Sequence, residues 1–279
     1  MQMTSLNINN NVNLQRDEDV KRLISEAIGM QSINIIQMAG HVENFRRIDE
    51  GRKIAKRTNQ KEYEIYANPG ELRDIIPATE RTNRDDQEVR DMGENVIIMQ
   101  NMFYGIEEQP HVVLDIKIGK STASRSQLLE SGEKSRVGAF FKEIKMKLYD
   151  IYTKSSTRGW RAIPIDDGNR AKTGRNSETF LREQFDRINV SKDAALRSII
   201  TQLYLIKKRL KRNQRRFIAS SVLIAIDLQR PENACVKLID LAHPIDANNK
   251  LFQKYIESFD EGIISLITFF ENYAAEQEV

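Results

Sequence analysis

PHVVLDIKIG, residues 110–119 of the 279-residue chain, has the composition of a buried β-strand at His111–Ile118, but two ionisable residues interrupt it. Because side chains alternate across a strand, Asp115 and Lys117 point to the same face. Burying both would cost several kcal/mol unless each had a partner. A polyanionic ligand with its metal ion would provide those partners. An edge strand with an ordinary surface ion pair is the alternative for an isolated Asp-x-Lys.

The sequence before this strand predicts a small sheet. Short apolar or alternating runs, separated by turn and charged residues, predict strands at Ile33–Ala39, Arg52–Lys56 and Val96–Met99. Between these runs, the pattern predicts short helices at Lys61–Tyr66 and Glu71–Ile76. We therefore expect a β-rich unit in this part of the chain.

After residue 119 the pattern becomes mainly helical. Lys134–Tyr152 predicts an exposed, lysine-rich helix, in which Lys142, Lys145 and Lys147 form a solvated face. A second helix is predicted by apolar residues at intervals of three and four: Leu196, Ile199, Ile200, Leu203, Ile206 and Leu210. Two strands of a hairpin follow at Phe217–Ile226 and Val236–Ile239, and a final amphipathic helix is predicted at about Phe259–Tyr273.

The composition restricts the possible functions. With 43 Lys and Arg against 40 Asp and Glu, the net charge is only +3, so no global field indicates a nucleic-acid binder. Cys235 is the single cysteine, which excludes an internal disulfide and, with only three histidines, argues against structural zinc. The apolar run Ile263–Phe270 is much shorter than the ~20 residues of a membrane span. We expect an intracellular protein, in the cytoplasm or the nucleus, and a monomer.

The chain resembles the inositol polyphosphate kinases, whose signature is Pro-x-x-x-Asp-x-Lys-x-Gly. It has Pro110 and, one residue further along than in that pattern, Asp115, Lys117 and Gly119. Further similar motifs occur in the family's order at Gln37–His41, Lys61–Tyr66, Ala219–Leu223 and Ile239–His243. The shared order argues against coincidence, and the resemblance extends over about residues 33–270.

The resemblance implies an α+β, two-lobed kinase-like fold. A disordered or weakly ordered lead, residues 1–28, would precede a small β-rich N-lobe, residues 29–102. A larger mixed C-lobe, residues 103–279, would contain a helical substrate-binding insertion at about 120–160. ATP and Mg²⁺ are the implied cofactors, and a small inositol phosphate is the implied substrate.

Phosphoryl transfer needs a lysine that holds phosphates, an acid that binds magnesium and a cation at the transferring group. By resemblance, Lys56 holds the ATP phosphates, with Glu62 as its ion-pair partner and Glu64 as the alternative partner. Asp240 would bind magnesium, and its other interpretation is a strand-end cap. The segment containing Gln100 and Met102 would contact the nucleotide as a hinge.

The signature residues have implied roles of their own. Asp115 would contact the ribose, and Lys117 would reach both the γ-phosphate and the acceptor hydroxyl. A cation at Lys117 would stabilise charge on the equatorial oxygens of the transferring group, so no dedicated strong base is required.

The acceptor site should be a cluster of cations, since each phosphate needs charge-assisted hydrogen bonds. The candidates are Lys117, Lys120, Lys134, Arg136, Lys172 and Arg175. His243 alone would be interpreted as a structural residue, but its place in Asp-x-Ala-His favours substrate contact.

Two other functions remain open. A catalytically inactive kinase-fold module could still bind inositol phosphates, although the intact set Lys56, Asp115, Lys117 and Asp240 argues against it. A nucleic-acid binder is suggested by the basic run from Lys207 to Arg216, but no aromatic residues interleave with it. A solvated helix face explains that run better.

Overall fold

The computed structural model describes residues 44–80, 89–106, 109–120, 136–163, 174–250 and 253–277. The predicted strand Ile33–Ala39 and the motif Gln37–His41 lie outside these ranges. Within them, the chain forms separate antiparallel sheets and helices, so the mixed α+β prediction is confirmed. In the described ranges, no helix combines the length and the apolar character needed to cross a bilayer.

The first sheet has four antiparallel strands in the order β1-β2-β4-β3. They are β1 (Phe45–Ile48), β2 (Lys53–Arg57), β3 (Thr79–Glu80) and β4 (Val96–Gln100). The helix α1 (Gln60–Ala67) follows β2 directly. The two predicted strands and the first predicted helix of this region are confirmed to within one residue at each end.

The second sheet also has four antiparallel strands, in the order β6-β5-β8-β9. They are β5 (His111–Ile118), β6 (Trp160–Ile163), β8 (Ser221–Asp227) and β9 (Cys235–Ile239). The strand predicted at residues 111–118 is therefore confirmed. β7 (Arg215–Phe217) pairs separately with β10 (Pro244–Asp246).

Five further helices complete the described chain. They are α2 (Arg136–Tyr152), α3 (Ser155–Arg158), α4 (Ser177–Asp186), α5 (Lys192–Arg212) and α6 (Gln253–Gln277). The predicted apolar face of α5 is buried except for Ile200, which packs partly against the same core. Alternate residues of β5 reach this core too, including Leu114, Ile116 and Ile118. Each such buried side chain contributes about 1.5–3 kcal/mol to folding.

The prediction of a helix at Glu71–Ile76 is wrong. The chain forms only a short 3₁₀ turn at Gly70–Leu72, and Pro77 prevents a helix from continuing. The Ile75 carbonyl accepts a hydrogen bond of 2.7 Å from the Leu238 N–H of β9. This segment therefore joins the two sheets.

Two predicted boundaries also change. The single strand predicted at Phe217–Ile226 is two strands in different sheets, because the chain turns at Ala219, whose φ is +59°. The final helix is longer than predicted, Gln253–Gln277 in place of Phe259–Tyr273. Its additional first turns pack at the end of β5, where Ser258 Oγ accepts a hydrogen bond from the Lys120 N–H.

Three glycines bring α6 into backbone contact with the second sheet. The Gly119 N–H donates to the Gly159 carbonyl over 2.7 Å, and Gly262 of α6 lies against both residues. A Cβ on Gly262 would lie 2.3 Å from the Gly159 carbonyl oxygen and 2.9 Å from the Gly119 nitrogen. This contact holds α6 against Gly119, which is two residues after Lys117.

Candidate active site

The face of β5 that is turned away from the core carries Asp115 and Lys117, as the alternation predicts. Asp115 is only 3% exposed, and among the described residues its Oδ1 has no hydrogen-bond partner. Burial raises the pKa of Asp115 above its ordinary value, and the charge of Lys117 offsets part of that rise. The nearby Ser221 hydroxyl also lowers this pKa, but it is not positioned to satisfy Oδ1. A buried acceptor is thus left open on this face.

Lys56 of β2 faces the second sheet. Its Nζ lies 2.8 Å from Glu62 Oε1 and 3.3 Å from Asp240 Oδ1. Burial alone would lower the pKa of Lys56, but the charges of Asp240 and Glu62 outweigh burial and raise it. Lys56 is therefore a fixed cation, and the predicted ion pair with Glu62 is present.

Glu62 is held in place by contacts from two parts of the chain, the start of α1 and the residues that follow β9. Asn59 caps α1 and accepts a 2.8 Å hydrogen bond from the Glu62 N–H, which places Glu62 in the first turn. Its side chain accepts hydrogen bonds from the Thr58 hydroxyl and, over 3.1 Å, from the Leu241 N–H. The alternative partner Glu64 is excluded, since it is exposed and accepts a hydrogen bond from Gln60.

Asp240 follows β9 with a φ of +60°, a conformation that non-glycine residues rarely adopt. Its Oδ1 faces Lys56, and its Oδ2 lies 3.5 Å from Lys117 Nζ. Both ion pairs are long for charge-assisted hydrogen bonds, which are usually about 2.7–2.9 Å. The Asp240 carboxylate therefore lies between two cations and forms a short ion pair with neither. The positive φ of Asp240 is a strained conformation, and it places the carboxylate there.

An apolar cleft lies beside these charges. Ile54, Leu223 and Ile239 line it together with Lys56, Asp115 and Asp240. Gln100 and Met102 of the predicted hinge line it as well. Phe45 and Phe103 also border the cleft, and the sequence had not indicated them. Such a cleft can hold a flat apolar group next to a charged one.

The segment after β4 is held by buried polar contacts. Asn101 is 3% exposed, its N–H donates to the Arg52 carbonyl over 2.9 Å, and its Nδ2 donates to the Gly51 carbonyl over 2.7 Å. Its Oδ1 accepts from the Phe103 N–H. These bonds fix the backbone next to Met102.

Comparison with known proteins decides the family. The profile described as "Inositol polyphosphate kinase" matches residues 96–271, more than half of the chain. The chain belongs to the inositol polyphosphate kinase family. Curated protein sequences yielded no match.

Solved structures of inositol phosphate multikinases have the same kinase-like fold. One is Ipk2 of S. cerevisiae in complex with ADP and Mn²⁺, with a TM-score of 0.59 and 18% identity over 80% of this chain and 99% of that chain. Another inositol phosphate multikinase has a TM-score of 0.53 and 18% identity over 78% of this chain and 100% of that chain. The predicted kinase-like fold is confirmed.

The acceptor candidates of this family member are only partly described. Lys134 and Lys172 lie outside the described residues, and the side chain of Arg136 does too. Lys120 Nζ pairs with Glu261 Oε2 at 2.5 Å, so this cation already has a carboxylate partner. Arg175 stacks on the Tyr152 ring at 5.3 Å and lines a depression on the surface with Lys154 and Arg158.

His243 lies two residues beyond Leu241, whose N–H bonds to Glu62. It is half-buried, and its backbone carbonyl accepts a 3.0 Å hydrogen bond from the Ile218 N–H. Burial lowers the pKa of His243 below its ordinary value, although the charge of Glu62 opposes this. The imidazole is therefore neutral at pH 7.

A second charged cluster on this face was not predicted. Arg161 of β6 is the cross-strand neighbour of Lys117 of β5, so both side chains lie on the same face of the sheet. Its Nη1 lies 2.6 Å from Asp150 Oδ1 and 3.2 Å from Ser155 Oγ, and its guanidinium stacks on the Tyr149 ring. This cluster attaches the end of α2 to the strand next to Lys117. No sequence spacing indicated Asp150 as the partner of Arg161.

Proposed function

We propose that this family member transfers the γ-phosphoryl group of ATP, with Mg²⁺, to a hydroxyl or phosphate of an inositol polyphosphate. The main support is that Lys56 and Lys117 both lie within 3.5 Å of Asp240, beside the apolar cleft between the two sheets. Two cations and one carboxylate, each from a different strand or strand end, suit a phosphate chain with its metal ion.

The nucleotide would occupy the apolar cleft. Its base would lie against the apolar walls and the backbone of the hinge segment at Gln100 and Met102. Asp115 would accept hydrogen bonds from the ribose hydroxyls, which is supported by its unpartnered buried oxygen. Lys56, held by Glu62, would contact the phosphates at the inner end of the cleft.

Asp240 would hold the magnesium ion. Proteins usually bind Mg²⁺ through one or two carboxylates, with phosphate oxygens and water as the other ligands. Within the described residues, no group of three His, Cys, Asp or Glu side chains could hold a metal alone, so a site shared with phosphates fits. When bound, Mg²⁺ supplies charge neutralisation at the β- and γ-phosphates.

Lys117 would act at the transferring group. Its Nζ is 3.5 Å from Asp240 Oδ2, so it can contact a phosphoryl oxygen without breaking a short ion pair. A fixed cation there stabilises the charge that spreads over the equatorial oxygens in the transition state. The neutral imidazole of His243 would donate to or accept from the acceptor without adding charge.

The acceptor would be held by Lys117 and His243 with Lys120, Lys134, Arg136 and Lys172. The boundary between an N-lobe at 29–102 and a C-lobe at 103–279, the insertion at 120–160 and the monomeric state are parts of the same proposal. Lys120 would have to exchange Glu261 for a substrate phosphate.

The nucleic-acid alternative is weakened by the partners of its cations. Arg209 of the basic run pairs with Glu71 and Asp74, and Arg216 pairs with Asp260 over 2.6 Å. These arginines are therefore partly neutralised, which disfavours phosphate-backbone binding.

One assay separates the three functions. ATP consumption is measured with Mg²⁺ and a panel of inositol phosphates, and binding of DNA and RNA is measured on the same preparation. The proposal predicts inositol phosphate-dependent ATP consumption and no salt-sensitive nucleic-acid binding. Binding of inositol phosphates without ATP consumption would indicate the inactive module, and nucleic-acid binding without turnover would indicate the third function.

A further inference from the structure

Helix α2 exposes large apolar side chains to solvent. Phe141 is 65% exposed, Ile144 38%, Leu148 36% and Ile151 64%. They recur at intervals of three, four and three residues, so they form one continuous stripe along the helix. We call these four residues the α2 stripe. Phe140, 41% exposed, lies beside it with its ring edge-on to Phe141 at 5.8 Å.

The opposite face of α2 is the one that packs on the protein. There Asp150 is buried in its ion pair with Arg161, Thr153 is fully buried, and the side chain of Glu143 is 16% exposed. This is the reverse of an ordinary surface helix, in which the apolar face is turned inward. The polar contacts with Arg161 thus keep the α2 stripe turned outward. A contiguous exposed apolar surface of this kind indicates an interaction site.

Lysines border the α2 stripe on both sides. At 3.6 residues per turn, Lys145 and Lys147 lie on opposite flanks of the stripe. Of the two acidic residues of α2, Asp150 lies toward the protein, and Glu143 pairs with Lys147 over 2.9 Å. The side chain of Lys147 is still 55% exposed, and an i,i+4 pair of this kind contributes little, so a lipid phosphate can replace Glu143. Lys154, just beyond the end of the helix, is exposed as well. Apolar residues flanked by lysines are typical of helices that lie in the interface of an anionic membrane.

The charges decide between possible occupants. A second copy packed through the same stripe would bring its lysine flanks against these lysines, and like charges repel. A rigid peptide partner usually needs a groove, whereas α2 presents a convex ridge. A fluid surface with negative headgroups accommodates a convex apolar ridge and attracts both flanks.

We propose that α2 docks this protein on anionic lipid membranes, with the α2 stripe in the headgroup–acyl boundary and Lys145 and Lys147 at the lipid phosphates. The helix lies on the surface and does not span the bilayer. This goes beyond the proposed phosphoryl transfer. α2 lies within the insertion at 120–160, but the proposed acceptor residue Arg136 is at its first position, and the α2 stripe contains none of the proposed acceptor residues.

The test is sedimentation of the full chain with two kinds of vesicle, phosphatidylcholine alone and phosphatidylcholine with phosphatidylserine. We expect binding to the anionic vesicles, loss of binding at high salt, and little binding to phosphatidylcholine alone. The double variant Phe141→Ser with Ile151→Ser should weaken binding by at least about tenfold. Lys147→Gln should weaken it about fivefold, as one lysine near an anionic surface contributes.

The matched controls carry the same changes elsewhere. Val190 and Ile264 are 66% and 46% exposed and lie outside α2, so Val190→Ser with Ile264→Ser should bind vesicles like the unchanged protein. Lys208→Gln on α5 is the control for charge. All these positions are exposed, and circular dichroism and thermal unfolding check that each variant is folded.

Three results would overturn the proposal. The first is no sedimentation of the unchanged protein with anionic vesicles. The second is equal binding by the stripe variant and its control. The third is a dimer in solution that the stripe variant converts to a monomer while vesicle binding is absent, which would assign the α2 stripe to a second copy.

Discussion

Two charged clusters lie side by side on one face of the second sheet, and they differ in how tightly their ion pairs close. Arg161 and Asp150 are 2.6 Å apart, both nearly inaccessible, and Ser155 binds them both. Lys117, directly across from Arg161, reaches Asp240 only at 3.5 Å. The Arg161 cluster closes through short contacts, although Arg161 Nε has no partner among the described residues, whereas the contact between Lys117 and Asp240 stays long.

The difference teaches how a binding site can be distinguished from a structural contact. Both clusters are buried ion pairs, and burial alone would not separate them. Each cluster has a buried polar atom without a partner among the described residues, Asp115 Oδ1 in one and Arg161 Nε in the other, but only the Lys117 cluster combines it with long ion pairs and a strained backbone at Asp240. Those features cost stability, and they are expected where a ligand completes the contacts.

Asp150→Ala tests the closed cluster and should have the largest effect. Removing one partner leaves Arg161 charged and buried, which costs about 3–5 kcal/mol of unfolding free energy. Asp91→Ala is the control, because Asp91 and Arg46 are also 2.6 Å apart but are 68% and 42% exposed. That variant should lose less than about 1 kcal/mol. Denaturant unfolding measures both, and similar losses would remove the distinction based on burial.

Lys117→Ala tests the open cluster. It should lower turnover by about 3 kcal/mol or more in activation free energy, since a transition-state cation is lost. Unfolding free energy should change little, because the ion pair to Asp240 is long. The turnover number and denaturant unfolding are measured together, with Lys208→Ala on α5 as the control. A folded Lys117→Ala protein with normal turnover would contradict the proposed mechanism.

Asp240→Asn should remove metal-supported activity, on the order of a hundredfold, and leave stability near that of the unchanged protein. Asparagine tolerates a positive φ, so the substitution removes the charge without disturbing the backbone. The measurement is turnover as a function of Mg²⁺ concentration. An unchanged magnesium dependence would move the metal site elsewhere.

The acceptor residues should give smaller changes that leave the nucleotide unaffected. Lys134→Gln or Lys172→Gln should raise the Michaelis constant for the inositol phosphate by about tenfold to a hundredfold, the contribution of one charge-assisted hydrogen bond. His243→Ala should have a smaller effect, because the lowered pKa keeps its imidazole neutral. The constant for ATP should stay the same in each. If the acceptor constant is unchanged in all three, the acceptor pocket lies elsewhere.

Asp115→Asn should produce the smallest change, a gain in stability. The pKa of Asp115 is raised in the folded protein, so its protonated form favours folding and stability is lost as pH rises through that pKa. Asparagine does not titrate, so the variant should be more stable at pH 7, and its advantage should shrink as the pH falls toward 3.8. Thermal unfolding over this pH range checks the sign. Nucleotide affinity should fall in the same variant.

The sequence predicts elements whose pattern is local. β5 alternates strictly enough to place Asp115 and Lys117 on one face, and Asn59 three residues before Glu62 is a recognisable helix start. Glu62 and Asp240, distant in sequence, could be brought together only through the family resemblance. Their roles stay predictions, since the geometry is consistent with them but does not test them.

The remaining features depend on tertiary contacts that local patterns do not encode. The segment after the 3₁₀ turn at Gly70–Leu72 is held by a hydrogen bond from β9 to the Ile75 carbonyl, a partner 163 residues further along the chain. The break at Ala219 separates β7 from β8, although both read as one apolar run. For α2, the sequence predicts a solvated lysine face, and Lys145 and Lys147 are exposed, but it does not predict that the apolar residues are turned outward as well, since the contact of Asp150 with Arg161 decides the rotation of the helix.

Gly262 limits how this protein could be engineered. Replacing glycine by alanine inside a helix is a standard way to increase stability, with a gain of roughly 0.5–1 kcal/mol. Here a methyl group would lie 2.3 Å from the Gly159 carbonyl oxygen, so α6 or the strand end after Lys117 would have to move. A thermostable variant should therefore keep glycine at position 262 and take its gains from the exposed positions of α5.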